Sequence, residues 1–387
     1  MVNMGELFKH RRIGDIEMER VLLNERNPER DLLKPNDLLF ARQSIVAEGA
    51  GQVSIFLGAG EPVTFESHLI RARIDETKAD PVWLFHFFES PQGRALMRSI
   101  VTQVAAAGIR GSDLARLSVR CPPLEEQSRV ATLLRGLDDK IESNRRLANL
   151  LEEAAATEFR AHFVDFVRGD HSDDTASGRL AELAVLVKQM VEPRETPMDS
   201  FEHFSIGAFD GGDGPETTTG DQMLSGKTLL PGGDSVLVSK LNPRTKRVWW
   251  PRPLPSARAV CSPEFLVLAP RDHVPTSYLY GVASADETFY EDLLSRVTGT
   301  TGSRQRVRPA DAMDCRVVVP TAGSMAEWDE FARPIYDRAH ATLAESRTLE
   351  QLRDALLPKL ISGEIRVPDT ADPKEVIGPA VEGTATV

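Results

Sequence analysis

The sequence predicts an α+β chain: two pseudo-repeated mixed α/β blocks, each followed by a long helix, with the two helices forming an antiparallel coiled coil. Three observations predict it. Segments recur in one order at a nearly constant offset, strand-like runs cluster in each copy, and a long amphipathic stretch follows each cluster.

The chain has 387 residues, 41% apolar and 27% charged, enough for two sizeable cores. Cys121, Cys261 and Cys315 are odd in number and lack CxxC spacing, which argues against a disulfide framework or a zinc ribbon and for a reducing compartment. The opening MVNMGELFKHRR has basic residues without an apolar core behind them, and no stretch approaches the roughly 18 apolar residues of a membrane span. A soluble, unexported, cytoplasmic protein is expected. Taken alone, the net charge of -12 argues against nucleic acid, because phosphate binding requires local positive charge. Between Ser225 and Val260, however, seven basic residues (Lys227, Lys240, Arg244, Lys246, Arg247, Arg252, Arg258) face one acid, Asp234.

The first block opens with LKPNDLLFARQS around Asp37, which recurs as LLPGGDSVLVSK around Asp234, 197 residues on. LARLSVRCPP, with Pro122, recurs as AMDCRVVVP, with Pro320, at an offset of 198, and Leu151-Glu152-Glu153 matches Leu349-Glu350-Gln351 at the same offset. Strands are expected at DLLFA, HLIRARI, SVLVSKL, EFLVLAP and CRVVVP, apolar runs bounded by turn residues, with a short proline-ended strand closing each copy. RGDHSDDTASG (Arg168 to Gly178) reads as a polar linker, and the Asp-, Pro-, Glu- and Ala-rich end after Val367 as a disordered tail. LAELAVLVKQMVEP (Leu180 to Pro193) has no partner in the first copy, because at this offset Met1 corresponds to Asp199.

From Leu124 to about Phe166 there is no internal proline and one glycine, Gly136, before Gly169. Val130, Leu134, Leu137, Ile141, Ala148, Leu151 and Ala155 form a heptad seam interrupted by Asn144, a device that fixes register at some cost in stability. The second copy runs Ile335, Ala339, Thr342, Leu349, Leu356, with Thr342 where Asn144 stands. A helix of roughly 36 residues spans about 54 Å, so a paired rod would separate what its ends carry. The alternative is that each helix only packs on its own block.

Catalytic chemistry finds no foothold. GDQMLSGKT (Gly220 to Thr228) resembles a phosphate-binding loop but places five residues between its glycines where four are required. The histidines show no HExxH or similar ligand spacing, so no metal is expected, and no GxSxG, strand-borne GxGxxG or Asn-Pro-Pro-aromatic box is present. Asp138-Asp139 reads as a solvated carboxylate pair on a helix surface.

Two runs have the chemistry to read DNA. SKLNPRTKRVWW (Ser239 to Trp250) supplies Lys240, Arg244, Lys246 and Arg247 for phosphates, Asn242 and Arg244 for base edges, and Trp249 and Trp250 as walls. TGTTGSRQRVRP (Thr298 to Pro309) delivers Arg304, Gln305, Arg306 and Arg308; Arg304, Gln305 and Arg306 are expected to read bases, as arginine and glutamine suit guanine and adenine. The first copy offers Arg42, Gln43 and Ser44, and Arg110 in AAGIRGSD. A solvated hairpin over a buried tryptophan, and ordinary surface in the first copy, are the competing explanations.

These segments resemble the specificity subunits (HsdS) of type I restriction-modification systems, along nearly the whole chain. Cys121 to Phe166 looks like that family's central region and LEQLRDALLPKLISGEIRV (Leu349 to Val367) like its distal one; NDLLFARQS and GGDSVLVSKLNPR are similar to its Gly-Asp strand motif, and TGTTGSRQRVRP to the loop before the last strand of its target recognition domains. The resemblance implies a target recognition domain at 1–121, a helical spacer at 122–167, the linker at 168–178, a second recognition domain at 179–320, a second spacer at 321–367 and the tail at 368–387. It implies a non-catalytic subunit that binds double-stranded DNA at a bipartite target. Two methyltransferase subunits and restriction/translocase subunits would dock on it, and S-adenosylmethionine, ATP and Mg would sit on those partners rather than on this chain. Members of the family usually begin with a strand and loop ahead of the part matched by MGELFKHRR. The first recognition domain is therefore expected to lack its first strand, and its half-site to be read weakly if that strand matters. The competing classes are a coiled-coil scaffold without nucleic-acid binding, distinguished by salt-independent interaction, and a self-sufficient nuclease or methylase, distinguished by activity of the chain alone.

Overall fold

A computed structural model describes residues 1–23, 31–45, 47–103, 107–165, 175–212, 214–223, 226–231, 234–253, 258–299 and 305–368, arranged in two units. The first comprises Met1–Glu142 with Thr348–Val387, the second Ser143–Arg347, so the division falls inside both long helices.

In the first unit the apolar runs become a four-stranded sheet. Strands β1 (Arg12–Ile13), β2 (Leu38–Ala41), β4 (Val53–Phe56) and β5 (Leu69–Ala72) take the order β1-β4-β2-β5, and β3 (Gln43–Ser44), β7 (Ala107–Gly108) and β6 (Thr102–Gln103) form a smaller sheet. β2 is antiparallel to both neighbours, Leu38 opposite Ile55 and Ala72. Asp37, ahead of β2, is buried and holds Arg73 in a two-point contact at 2.8 and 2.6 Å, so this motif carboxylate is structural. The helix Pro81–Glu89 starts cleanly because Asp80 accepts from the N–H groups of Val82 and Trp83 and Pro81 occupies the first turn. Apart from His86 and Glu89 it is apolar, and its residues from Pro81 to Phe88 are all buried. Trp83, Phe85 and Phe88 pack with Phe40 and Ile55 of the sheet, with Leu134 and Leu137 of the central helix (Leu124–Phe159), and with Leu357 and Leu360 of the distal helix (Ala322–Ser362). Burying each such side chain is worth about 1.5–3 kcal/mol.

The second unit contains β9 (Ala184–Val187), β14 (Val236–Ser239), β15 (Val248–Trp249) and β17 (Phe265–Pro270) in the order β15-β14-β17-β9. A five-stranded sheet of β10 (Met190–Val191), β11 (Ser200–Phe204), β12 (Glu216–Thr219), β13 (Lys227–Leu229) and β16 (Arg258–Cys261) lies in the same unit. The phosphate-loop lookalike falls here: Lys227 is buried at the start of β13, a strand where a phosphate loop would continue as a helix. The helix Thr276–Ala285 approaches the central helix at Gly281, where a Cβ would lie 2.4 Å from the ring of Phe159. Phe159, Phe163, Tyr278 and Trp328 then form one aromatic cluster, with centroids 5.0–5.7 Å apart.

The proline-ended strand expected in both copies forms only in the second. β18 (Arg316–Pro320) pairs antiparallel with β8 (Thr175–Arg179), whereas residues 118–122 have no strand partner among the described residues. The strand β8 also occupies residues 175–178, expected as linker; residues 168–174, and the tail from 369, lie outside the described residues.

Each unit takes its share of the helical seam. In the first, Leu134, Leu137 and Ile141 are buried; in the second, Asn144, Ala339 and Thr342 are buried, while Leu151 and Ile335 are half-buried. Leu349 and Leu356, in the first unit, are half-buried as well. The deepest distal-helix positions are Ala332, Tyr336 and Ala339 in the second unit and Leu357 and Leu360 in the first. Asp138 departs from expectation. It is 3% exposed and ion-paired to Arg11 and Arg353, while its neighbour Asp139 stays on the surface with Arg12.

Candidate nucleic-acid interface

The densest basic run lies in the turn between β14 and β15, and backbone geometry sets its shape. Pro243 presets the turn, Thr245 N–H donates to Asn242 O at 2.9 Å, and Asn242 takes a left-handed φ of 45°, which asparagine tolerates better than most residues. Beside this turn runs Gln305–Val307: Asn242 N–H donates to Gln305 O at 2.9 Å, Val307 N–H to Lys240 O at 3.1 Å, and Leu241 pairs antiparallel with Arg306. The two basic runs, distant in sequence, are thus neighbours. Arg304 lies outside the described residues.

Most of the cations in this region already have partners. Arg247 meets both oxygens of Asp210 at 2.6 and 2.8 Å, and Arg306 both oxygens of Glu264 at 3.0 and 2.7 Å; these hydrogen bonds raise both guanidinium pKa values. Lys246 Nζ donates to Ser284 O at 2.6 Å and lies 4.3 Å from the Tyr290 ring centre, with desolvation lowering its pKa. Arg252 stacks on Trp250 at 4.0 Å and reaches Asp337, and Arg258 reaches Asp199 at 3.3 Å. Of the seven basic residues between Ser225 and Val260, Lys240 and Arg244 make no side-chain hydrogen bond or ion pair with a described residue. Outside that stretch, exposed Arg308 makes none either.

The tryptophans expected as walls belong to the core. Trp250 is buried 5.7 Å from Tyr280 and 5.6 Å from Tyr336, and Trp249 packs edge-on to Phe204 and Phe209. The β14–β15 hairpin points its bulk inward, so the tip alone presents polar groups. Even there, Asn242 Oδ1 is buried without a partner among the described residues.

A parallel arrangement occurs in the first unit. Gln43 pairs with Gly108 and Ser44 with Ala107, and Ile109 N–H donates to Arg42 O at 2.8 Å, which brings Arg42, Gln43 and Ser44 beside Arg110. Gln43 Nε2 lies 2.7 Å from His68 Nδ1. Arg42 and Arg110 are exposed and make no side-chain hydrogen bond or ion pair with a described residue. Among the described residues no group of three or more His, Cys, Asp or Glu is placed to hold a metal, and no helix is long and apolar enough to cross a membrane.

No family model matches the chain. In sequence it is similar to the type I restriction enzyme MjaIX specificity subunit of Methanocaldococcus jannaschii, 21% identical over 370 residues, covering 89% of this chain and 82% of that protein. It is also similar to the type I restriction enzyme EcoKI specificity subunit of Escherichia coli, 29% identical over 179 residues, covering 44% of this chain and 38% of that protein. Among solved structures, the S subunit of a type I restriction-modification system from M. genitalium shares the fold, with a TM-score of 0.51 and 14% identity over 87% of this chain and 84% of that one.

Proposed function

We propose that this chain, a relative of the type I restriction enzyme specificity subunits, is itself the non-catalytic DNA-recognition subunit of such an enzyme. Residues 1–121 and 179–320 are its two target recognition domains, each binding one half of a bipartite double-stranded site. The long helices, 122–167 and 321–367, pair antiparallel as the spacer and dock two methyltransferase subunits, which restriction/translocase subunits join in the cytoplasm. S-adenosylmethionine, ATP and Mg belong to those partners.

One observation carries this proposal most. In each unit the same backbone pairing, Gln43 opposite Gly108 and Leu241 opposite Arg306, sets two sequence-distant basic segments side by side at an offset of 198 residues. That is what a duplicated DNA reader requires: cations that neutralise phosphates, next to polar side chains that meet base edges. Within the first unit, ion pairs join Asp138 to Arg353 and Glu126 to Arg366; within the second, Tyr280 hydrogen-bonds Glu152, whose charge also reaches Tyr336. On the two helices themselves, Asp138 with Arg353 and Glu152 with Tyr336 run in opposite order, and Arg366, just past the distal helix, continues that order to Glu126, which supports antiparallel pairing.

Mapping methylated sites in cells that carry this chain and its cognate methyltransferase tests the proposal. A two-part motif with a fixed gap that vanishes when the chain is deleted is expected; methylation indifferent to the deletion would overturn it. Salt-independent binding of the purified chain to partners, with no DNA affinity, would instead favour the scaffold alternative.

A further inference from the structure

We infer that Arg42 with Arg110, and Lys240 with Arg308, form two equivalent phosphate clamps, one per half-site, that supply affinity without reading sequence. The inference rests on the DNA-recognition role proposed above and divides the labour within it.

The backbone makes the two pairs equivalent. Ile109 N–H bonds to Arg42 O at 2.8 Å and Val307 N–H to Lys240 O at 3.1 Å, and both bonded positions are related by 198 residues. Ile109 and Val307 are buried pins, 3% and 1% exposed. The next residue in each case, Arg110 or Arg308, is extended (φ -103°, ψ 142°; φ -71°, ψ 139°) and immediately precedes a short helix, Gly111–Leu114 or Pro309–Met313. Each unit therefore holds one cation on either side of the same backbone hydrogen bond.

Their electrostatics set them apart. In a chain with 58 acidic and 46 basic residues, a surface cation readily finds a carboxylate, as Arg247 and Arg306 do. None of these four makes a side-chain hydrogen bond or ion pair with a described residue; three are exposed and Lys240 is half-buried. With no partner among the described residues, the two cations flanking each backbone bond leave positive charge for an incoming anion, and the arrangement occurs in both units.

The amino-acid types point to phosphate rather than base. Across the two units charge is kept at both positions, Arg110 answering to Arg308 and Arg42 to Lys240; a lysine lacks the planar fork that reads guanine yet serves a phosphate as a point charge. The residues between the clamps change character altogether, Gln43 to Leu241, Ser44 to Asn242, Ala107 to Gln305 and Gly108 to Arg306. Between the anchors the second unit carries Asn242, Gln305 and Arg306 where the first has Ser44, Ala107 and Gly108, so base-edge chemistry differs between the units while the anchoring charge does not.

The test uses the native complex purified through a tag on this chain. DNA binding is titrated against salt on the cognate duplex and on one with both half-sites scrambled, for the unsubstituted chain and for Arg110→Ala, Arg308→Ala, Arg110→Lys and Arg308→Lys. Each alanine should flatten the slope of log K against log salt by about 0.9 and weaken both duplexes by the same factor, while lysine retains the slope and the methylated motif stays unchanged. A changed motif, or an unchanged slope, would overturn the clamp while leaving the recognition role standing. Absence of salt-dependent DNA binding by the unsubstituted complex would instead remove the recognition role and the clamp together.

Discussion

Arg353, on the distal helix, donates to Asp138 Oδ1 on the central helix at 2.9 Å, and the same oxygen accepts from Arg11 at 2.6 Å. Arg11 also grips Glu89 through Nε and Nη2, and the buried His86 ring lies 3.5 Å from Glu89 and 3.6 Å from Asp138. Five charged or titratable side chains thus tie four segments of the first unit together. Removing one member of a buried pair leaves its partner desolvated and uncompensated, typically about 3–5 kcal/mol. Asp138→Ala should therefore cost at least about 3 kcal/mol in the first unit, read as faster amide exchange along Leu124–Glu142. Exchange rates equal to those of the unsubstituted chain would show that the network contributes nothing.

The same network predicts acid sensitivity. Burial alone would raise Glu89, but the His86 ring and the Arg11 guanidinium outweigh it and hold the carboxyl at about 2, below its ordinary 4.5. Asp138 is likewise lowered, with the charges of Arg11, His86 and Arg353 overcoming desolvation. Because the folded values lie below the unfolded ones, the unfolded chain takes up protons first as pH drops. The stabilisation is complete above about 4.5 and is lost as pH falls towards 2. Denaturant midpoints measured between pH 5 and 2 should fall steeply for the native chain and less for Glu89→Gln; equal slopes would exclude Glu89 as a source.

Local pattern carried much of the fold into view, and long-range pairing carried the rest out of it. The run DLLFA became β2, and Leu134, Leu137 and Ile141 are buried, because strand and helix periods are written residue by residue. Nothing near Asp138 announces partners 127 and 215 positions away, so a buried tie looked like solvated surface. The same holds for the two basic runs, since Asp210 cancels Arg247 from 37 residues away and Glu264 cancels Arg306 from 42. Strand β18 exists through β8, whereas residues 118–122, of similar composition, have no such partner among the described residues.

Arg244 and Arg306 were expected to act alike, and their surroundings separate them. Arg244 is exposed without a described partner, whereas Arg306 must leave Glu264 to reach a base. Arg244→Ala should cost roughly 1–3 kcal/mol on the second half-site and relax one of its positions. Glu264→Gln should release Arg306 and tighten DNA binding, with the gain abolished by adding Arg306→Ala. Methylome mapping and affinity titration check both; an unaltered motif in Arg244→Ala would remove Arg244 from the readers.

The spacer hypothesis makes the most direct prediction. Both helices continue through the points where the units divide, at Glu142–Ser143 and Arg347–Thr348, so an insertion there separates the two units' shares of the seam without adding residues inside either. Four added residues approximate one helical turn and lengthen a helix by about 6 Å. Along duplex DNA, at about 3.4 Å per base pair, that corresponds to roughly two base pairs. Matched insertions in both helices should lengthen the gap between half-sites by about that amount and leave both half-site sequences intact. If methylome mapping returned the original gap, the helices would not set the spacing, and an insertion in one helix alone should then be equally silent.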